Sequence, residues 1–146
     1  MLRILQDWQH FADSRFALRF QYPNVTPQGH LVEKAESQKD DVVRVHFISK
    51  DGQELYFEIT KYVDLPAQVE YQQHKERLGE RPEEFVVSGL KEIRWMSQPA
   101  YEYSIKWDNR ARVVILLETD DATYRILYDP YSPLNIQILS TLQWAY

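Results

Sequence analysis

The chain has 146 residues, of which 44% are apolar and 27% charged, with no cysteine and a formal net charge of −5. A chain of this size and composition buries about 70% of its unfolded surface, which excludes a disordered tail, a collagen-like rod and a disulfide-stapled mini-protein. The acidic balance disfavours nucleic acid, whose nonspecific binding rests on neutralising phosphates, and the missing thiols exclude cysteine nucleophiles, Cys-type zinc sites and disulfides.

The opening Met1 to Trp8 has no uninterrupted apolar core, because Gln6 and Asp7 break it, so no signal peptide is expected. The first strand is expected over Phe16–Tyr22, with Phe16, Leu18, Phe20 and Tyr22 on one face and Pro23 as its stop. Residues 30–62 hold three more extended segments. The clearest is a hairpin running Val42 to Ile48 and returning over Glu54 to Tyr62. A two-residue Asp51-Gly52 loop would set Val45 opposite Glu58 and bury a carboxylate in the apolar row. A three-residue loop with Gly52 left-handed sets Phe47 opposite Leu55, Val45 opposite Phe57 and Val43 opposite Ile59, and is the expected turn. The other face then pairs Arg44 with Glu58 and His46 with Tyr56.

Asp64 and Pro66 start a helix as cap and first-turn residue; Gly79 and Pro82 end it. Ala67, Tyr71, His74 and Leu78 share its apolar stripe, with Glu70 at the edge. Four strands are expected next, over Lys91–Ser97, Ala100–Trp107, Arg112–Thr119 and Thr123–Asp129. A three-residue loop at Asp108–Arg110 and a two-residue loop at Asp120-Asp121 would align Tyr103 with Ile115 and Ile126, and Tyr101 with Leu117 and Tyr124. Val113 to Leu117 is apolar on both faces, as a covered central strand requires, and far short of the ~20 residues of a membrane helix. Ser132-Pro133 opens a closing helix with Leu134, Ile138 and Leu142 on one face.

The run Trp8-Gln-His-Phe11, the strand Phe16 to Tyr22 with its closing Pro23, the central helix, Ser97-Gln-Pro-Ala100 before an aromatic strand, and the close Tyr124-Arg-Ile-Leu-Tyr128 followed by Ile138 to Leu142 together resemble the PsbP and Mog superfamily over nearly the whole chain. Asn24-Val25 replaces the tryptophan that often follows the first proline in that family, and Gln98 stands where glycine is common. The resemblance implies an α+β fold, a three-layer α/β/α sandwich around a largely antiparallel sheet of about six or more strands. It also implies a role in binding another macromolecule without catalysis, as in PsbP subunits, Ran-binding Mog proteins and type VI secretion effector chaperones. No partner-binding motif of the family matches a position here.

Candidate chemistry is sparse. Glu70 and His74 stand four apart, a spacing open to a metal, yet no third ligand adjoins them, and a packed histidine is the default. His46 lies on a polar sheet face, and His10 and His30 sit in connections with no evident neighbour. Ser88 and Ser104 lack a nucleophile elbow, and there is no phosphate-binding glycine loop. The acid pairs Asp40-Asp41, Glu83-Glu84 and Asp120-Asp121 read as solvated turns. Trp95 and Met96 point to opposite faces of their strand, so an exposed Trp95 would suit a protein-binding patch.

Two readings follow. The first is a non-catalytic accessory or protein-binding module without cofactor or metal, cytoplasmic, with another protein as partner, no nucleic acid and no membrane span, monomeric or paired as a homodimer through sheet edges. The second is a small-ligand pocket protein or unrecognised hydrolase, with Tyr71 and His74 in a site between the sheet and helix 66–78.

Overall fold

Two-residue alternation dominates the chain, and the result is mostly sheet. A computed structural model describes residues 8–50 and 54–145. Its strands are β1 (Gln9–Ala12), β2 (Leu18–Tyr22), β3 (Val32–Lys39), β4 (Val42–Ser49), β5 (Tyr56–Val63), β6 (Val86–Val87), β7 (Lys91–Trp95), β8 (Gln98–Trp107), β9 (Arg110–Glu118), β10 (Ala122–Tyr128) and β11 (Gln143–Trp144). The helices are α1 (Ala67–Gly79) and α2 (Pro133–Ser140). An antiparallel eight-stranded sheet runs β3-β4-β5-β10-β9-β8-β6, with β7 on the other half of β8, and a smaller sheet runs β1-β2-β11. All seven residues of β10 are buried, and its neighbour β9 holds the doubly apolar run, as expected of central strands.

The two faces of the large sheet bury different sets. One face packs Val45, Phe47, Phe57, Ile59, Ile115, Leu117 and Ile126 against Phe11, Leu18 and Phe20 of the small sheet and against Leu134 and Ile138 of α2. Phe20 sits at the centre of this layer, stacked on Phe11 and edge-on to Phe47. Burying a side chain of that size contributes about 1.5–3 kcal/mol. The opposite face packs Tyr103, Ile105, Val114, Leu116 and Leu127 against Ala67 and Tyr71 of α1. The fold is α+β, and the eight strands exceed the six expected as a minimum. The expected α/β/α layering is met only roughly. The second outer layer is part helix and part sheet, because β1 and β2 are short extended segments that pair with each other.

Three local expectations are corrected. In the β4–β5 hairpin Phe47 lies opposite Phe57 and Val45 opposite Ile59, two residues along from the expected register. A shift of two keeps every side chain on its face, so the apolar rows still coincide. Ser49 pairs with Leu55 through backbone and side chain, leaving a longer connection than the bulged turn, and Gly52 itself lies outside the described residues. His46 consequently faces Glu58 rather than Tyr56, and Arg44 reaches Glu58 diagonally at 3.5 Å.

Between β8 and β9 the loop is two residues, not three, with Trp107 opposite Arg110 and Asp108 at φ 50. That conformation is typical of the tight turns that follow the twist of antiparallel strands, and aspartate tolerates it. The change is one residue, so it exchanges the faces of β8. Tyr103 aligns with Val114 and Leu127, and Tyr101 with Leu116 and Arg125, placing both beside α1. The two-residue loop at Asp120-Asp121 stands as expected, with Ile115 opposite Ile126 and Leu117 opposite Tyr124.

Asp64 does not cap α1. It sits at φ 56, two residues before the N-cap Pro66, and the first helical amide, on Ala67, instead donates to Glu118 Oε2 at 3.2 Å. Ser132 holds the N-cap position of α2, as expected, but its hydroxyl donates to the Glu54 carbonyl rather than to the helix.

Candidate functional site

Thr60 on β5 marks the middle of the most unusual part of the molecule. Arg44 on β4 and Arg125 on β10 stand directly opposite it on either side, and Glu58 and Tyr62 lie two residues away on the same strand face. Two-residue periodicity thus gathers two arginines, a carboxylate and a phenol around one small side chain. α1 closes the cluster from above with Glu70, His74 and Arg77. Arg125 Nη2 donates to Glu58 Oε1 at 2.8 Å, and its Nη1 lies 3.6 Å from Glu70 Oε2. Arg77 donates to Glu70 Oε1 at 3.1 Å from the solvent side. The Arg125 guanidinium also lies over the Tyr62 ring at 5.5 Å.

The cluster is dry. Arg125 is 4% exposed and Glu70 fully buried. Burial opposes charge on Arg125, but Tyr62, Glu58 and Glu70 outweigh it and raise its pKa, so it stays protonated. Burial likewise works against the Glu58 carboxylate, and Arg125 overrides it and holds the pKa below the ordinary value. His74 Nδ1 and the Tyr103 hydroxyl share a hydrogen bond. Burial first, and then the surrounding arginines, push His74 down to about 3, while burial raises the Tyr103 phenol. At neutral pH both groups are uncharged.

A groove of about 690 Å³ lies at the other end of the fold, between the segment after β2 and the start of α2. Trp8, Pro23, Val25, Pro27, Pro133 and Leu134 form its apolar wall. Three prolines fix much of that wall without exposing amides. Glu54 is its acidic member, accepting from Thr26 at 2.6 Å and bonded to His30 Nδ1 at 2.7 Å. His30 therefore has a definite neighbour, which its place in a connection did not suggest. Val25 lines the groove and bridges to Leu31, while Tyr131 and Ile136 directly precede the lining residues Ser132 and Gln137; these are four of the six large apolar residues exposed among the described residues. Leu31 is 61% and Tyr131 70% exposed.

No family model matches the sequence, and no curated protein matches it. Solved structures do. The chain superposes on the solution structure of cyanobacterial PsbP (CyanoP) from Synechocystis sp. PCC 6803 with a TM-score of 0.62, covering 94% of this chain and 92% of that one at 12% identity. The chain has a PsbP-like fold. At that identity the likeness is one of architecture, and it carries no residue role.

Within the PsbP-like fold the residues singled out from sequence scatter. Glu70 and His74 both face the sheet, but Glu70 is held by two arginines and His74 by Tyr103, so they do not form a ligand pair. Among the described residues no group of three His, Asp or Glu side chains could hold a metal ion. Tyr71 donates from its hydroxyl to the Ser88 carbonyl at 2.7 Å and lines a shallow cleft of about 350 Å³ with Gln68, Gln72, Leu90, Glu92 and Tyr101. Trp95 is half-buried against the larger core, as is Met96, so the pair does not divide into one buried and one free side chain. Ser88 Oγ accepts from the Ser104 amide at 2.8 Å and is a structural link between β6 and β8. The three acid pairs are exposed in turns and loops, as expected.

Sequence placed Glu58 beside Arg44 and Tyr103 within the sheet but brought neither to α1, and Arg125 was not singled out. Arg125 lies in the apolar-looking strand Ala122–Tyr128, and a lone arginine there was the available signal. The groove was signalled only by prolines in two distant connections.

Proposed function

We propose that this PsbP-like fold serves as a non-catalytic accessory module that docks another protein over the groove at the start of α2. The observation that supports the reading is an apolar groove lined by exposed Val25, with exposed Leu31 bridged to Val25 and exposed Tyr131 and Ile136 next in the chain to its lining residues Ser132 and Gln137, since exposed apolar surface of this kind marks interaction sites. Tyr131 adds the residue type that anchors interfaces. Glu58, Glu70 and Arg125, by contrast, are engaged with one another between sheet and helix. The reading needs no cofactor and no nucleic acid, and assigns the module to the cytoplasm. No helix among the described residues is long and apolar enough to cross a membrane.

A second reading, a small-ligand pocket or hydrolase, draws support from the cleft beside Tyr71, which lies between α1 and the β7–β8 edge. Its catalytic use of His74 would require breaking the bond to Tyr103.

Native mass spectrometry of the protein purified gently from its own source tests both. The accessory reading expects a stoichiometric protein partner, lost from Tyr131→Ala and Val25→Asp variants that remain folded. A bound small molecule that survives those substitutions and is lost in Tyr101→Ala overturns it in favour of the cleft.

A further inference from the structure

Strand β3 is the outer strand of the large sheet and pairs only with β4. Seven of its eight residues are exposed. The direction of its free hydrogen-bonding groups can be derived. Leu31 accepts from the Lys50 amide on the β4 side, whereas the Val32 amide turns outward to the Asn24 carbonyl. Alternation along an antiparallel strand then turns the amides and carbonyls of Lys34, Glu36 and Gln38 toward the open edge. Nothing among the described residues bonds to them there. Such an edge is a template for another strand unless something blocks it.

Charge decides which strand fits. We propose that β3 pairs antiparallel with β3 of a second copy of this chain, about a two-fold axis through Ala35, joining two eight-stranded sheets edge to edge. A stable pairing needs two or more hydrogen-bonded pairs among Lys34, Glu36 and Gln38, whose groups point outward, so the axis must pass through residue 35, 36 or 37. An axis through Glu36 would place Glu36 opposite Glu36. An axis through Ser37 would push Lys34 past the end of the partner strand. The axis through Ala35 sets Lys34 opposite Glu36 twice, with four backbone bonds between them, and Glu33 opposite Ser37 on the other face. Ala35 meets its own copy in the closely spaced, non-hydrogen-bonded position, where a small side chain suits the approach. Arg15 bonds Glu36 and Gln38 from the inner face and steadies the carboxylate within that row.

The contact is narrow, so its mass should be followed over a concentration series from about 10 µM to about 1 mM, by sedimentation equilibrium on the full chain. Wild type is expected to shift from monomer to dimer within that range. Lys34→Glu and Glu36→Lys each place like charges opposite one another, and each should weaken the dimer by about tenfold or more while circular dichroism stays unchanged. Mixed one to one, the two variants regain opposite charges at both positions and should dimerise with each other. A wild type that stays monomeric overturns the proposal. So does a dimer that survives both reversals, or a mixture that fails to associate.

Discussion

His74 on α1 and Tyr103 on β8 are 29 residues apart in the chain and hydrogen-bond to each other between helix and sheet. The bond exists because the Asp108-Asn109 turn is two residues long, which puts the odd-numbered residues of β8 on the α1 face. Each side chain satisfies the buried polar atom of the other. Tyr103 also meets Tyr71 edge-on at 4.9 Å, so the pair joins the polar cluster to the smaller apolar core.

Tyr103→Phe keeps the ring and removes the hydroxyl. His74 Nδ1 is then buried without its partner, and the expected loss is about 1–3 kcal/mol. Denaturant unfolding measures it. A loss no larger in the single variant than in Tyr103→Phe combined with His74→Leu would show that the bond carries nothing.

Arg125→Met removes the partner that Glu58 and Glu70 share, leaving Glu58 to Arg44 at 3.5 Å and Glu70 to Arg77 at 3.1 Å, and the expected cost is about 1.5–3 kcal/mol. Replacing the ionic group as a whole, with Glu58→Leu and Glu70→Leu added, should recover much of it, because uncompensated charge is the larger penalty. Thermal and urea unfolding of the single and triple variants decide the point. A triple variant weaker than the single one would contradict the account.

Acid should weaken the fold through His74. Its folded pKa of about 3 lies below the ordinary 6.5, so between those values the unfolded chain binds a proton that the folded chain refuses. Stability attributable to this group is therefore present above pH 6.5 and lost as pH falls toward 3. His74→Gln removes the proton uptake, so wild type should lose more stability than the variant between about pH 7 and pH 5. Equal losses in urea titrations at the two pH values would mean that His74 is solvated.

The turn at Asp108 should be sensitive to shape. Its φ of 50 suits aspartate or glycine and strains a β-branched residue, so Asp108→Val is expected to cost about 1–2 kcal/mol and Asp108→Gly to be neutral or better. Inserting one glycine after Asn109 would favour the three-residue loop and drive Tyr101 and Tyr103 to the wrong face. Loss of cooperative unfolding in the insertion variant, with Asp108→Gly intact, is the expected pattern.

Much of this protein was legible in the residue pattern. Alternation located β2, β4, β5, β8, β9 and β10, because a half-buried strand must present apolar side chains every second residue. The spacing of Ala67, Tyr71 and His74 located α1, and Ser132-Pro133 located the start of α2. The apolar rows also settled which face of β4 meets which face of β5, although not the distance along the strands, since a two-residue shift leaves every face unchanged.

The site depended on contacts that no local pattern encodes. Whether Tyr103 faces Ile115 or Val114 turns on one residue of loop length, and both faces of β9 are apolar, so periodicity could not choose between them. Arg125 lies within a strand buried along its whole length, and its tolerance there comes from Glu58, 67 residues earlier, and from Glu70 on a helix laid across the sheet. The groove joins Pro23 and Val25 to Pro133 and Leu134, more than 100 residues on. Near-neighbour periodicity was enough to locate the main strands and both helices and to assign the buried faces of β2, β4, β5 and α1, because each of those rests on residues close along the chain. The face of β8, the meeting of Arg125 with Glu58 and Glu70, and the open apolar groove follow instead from packing between segments distant along the chain.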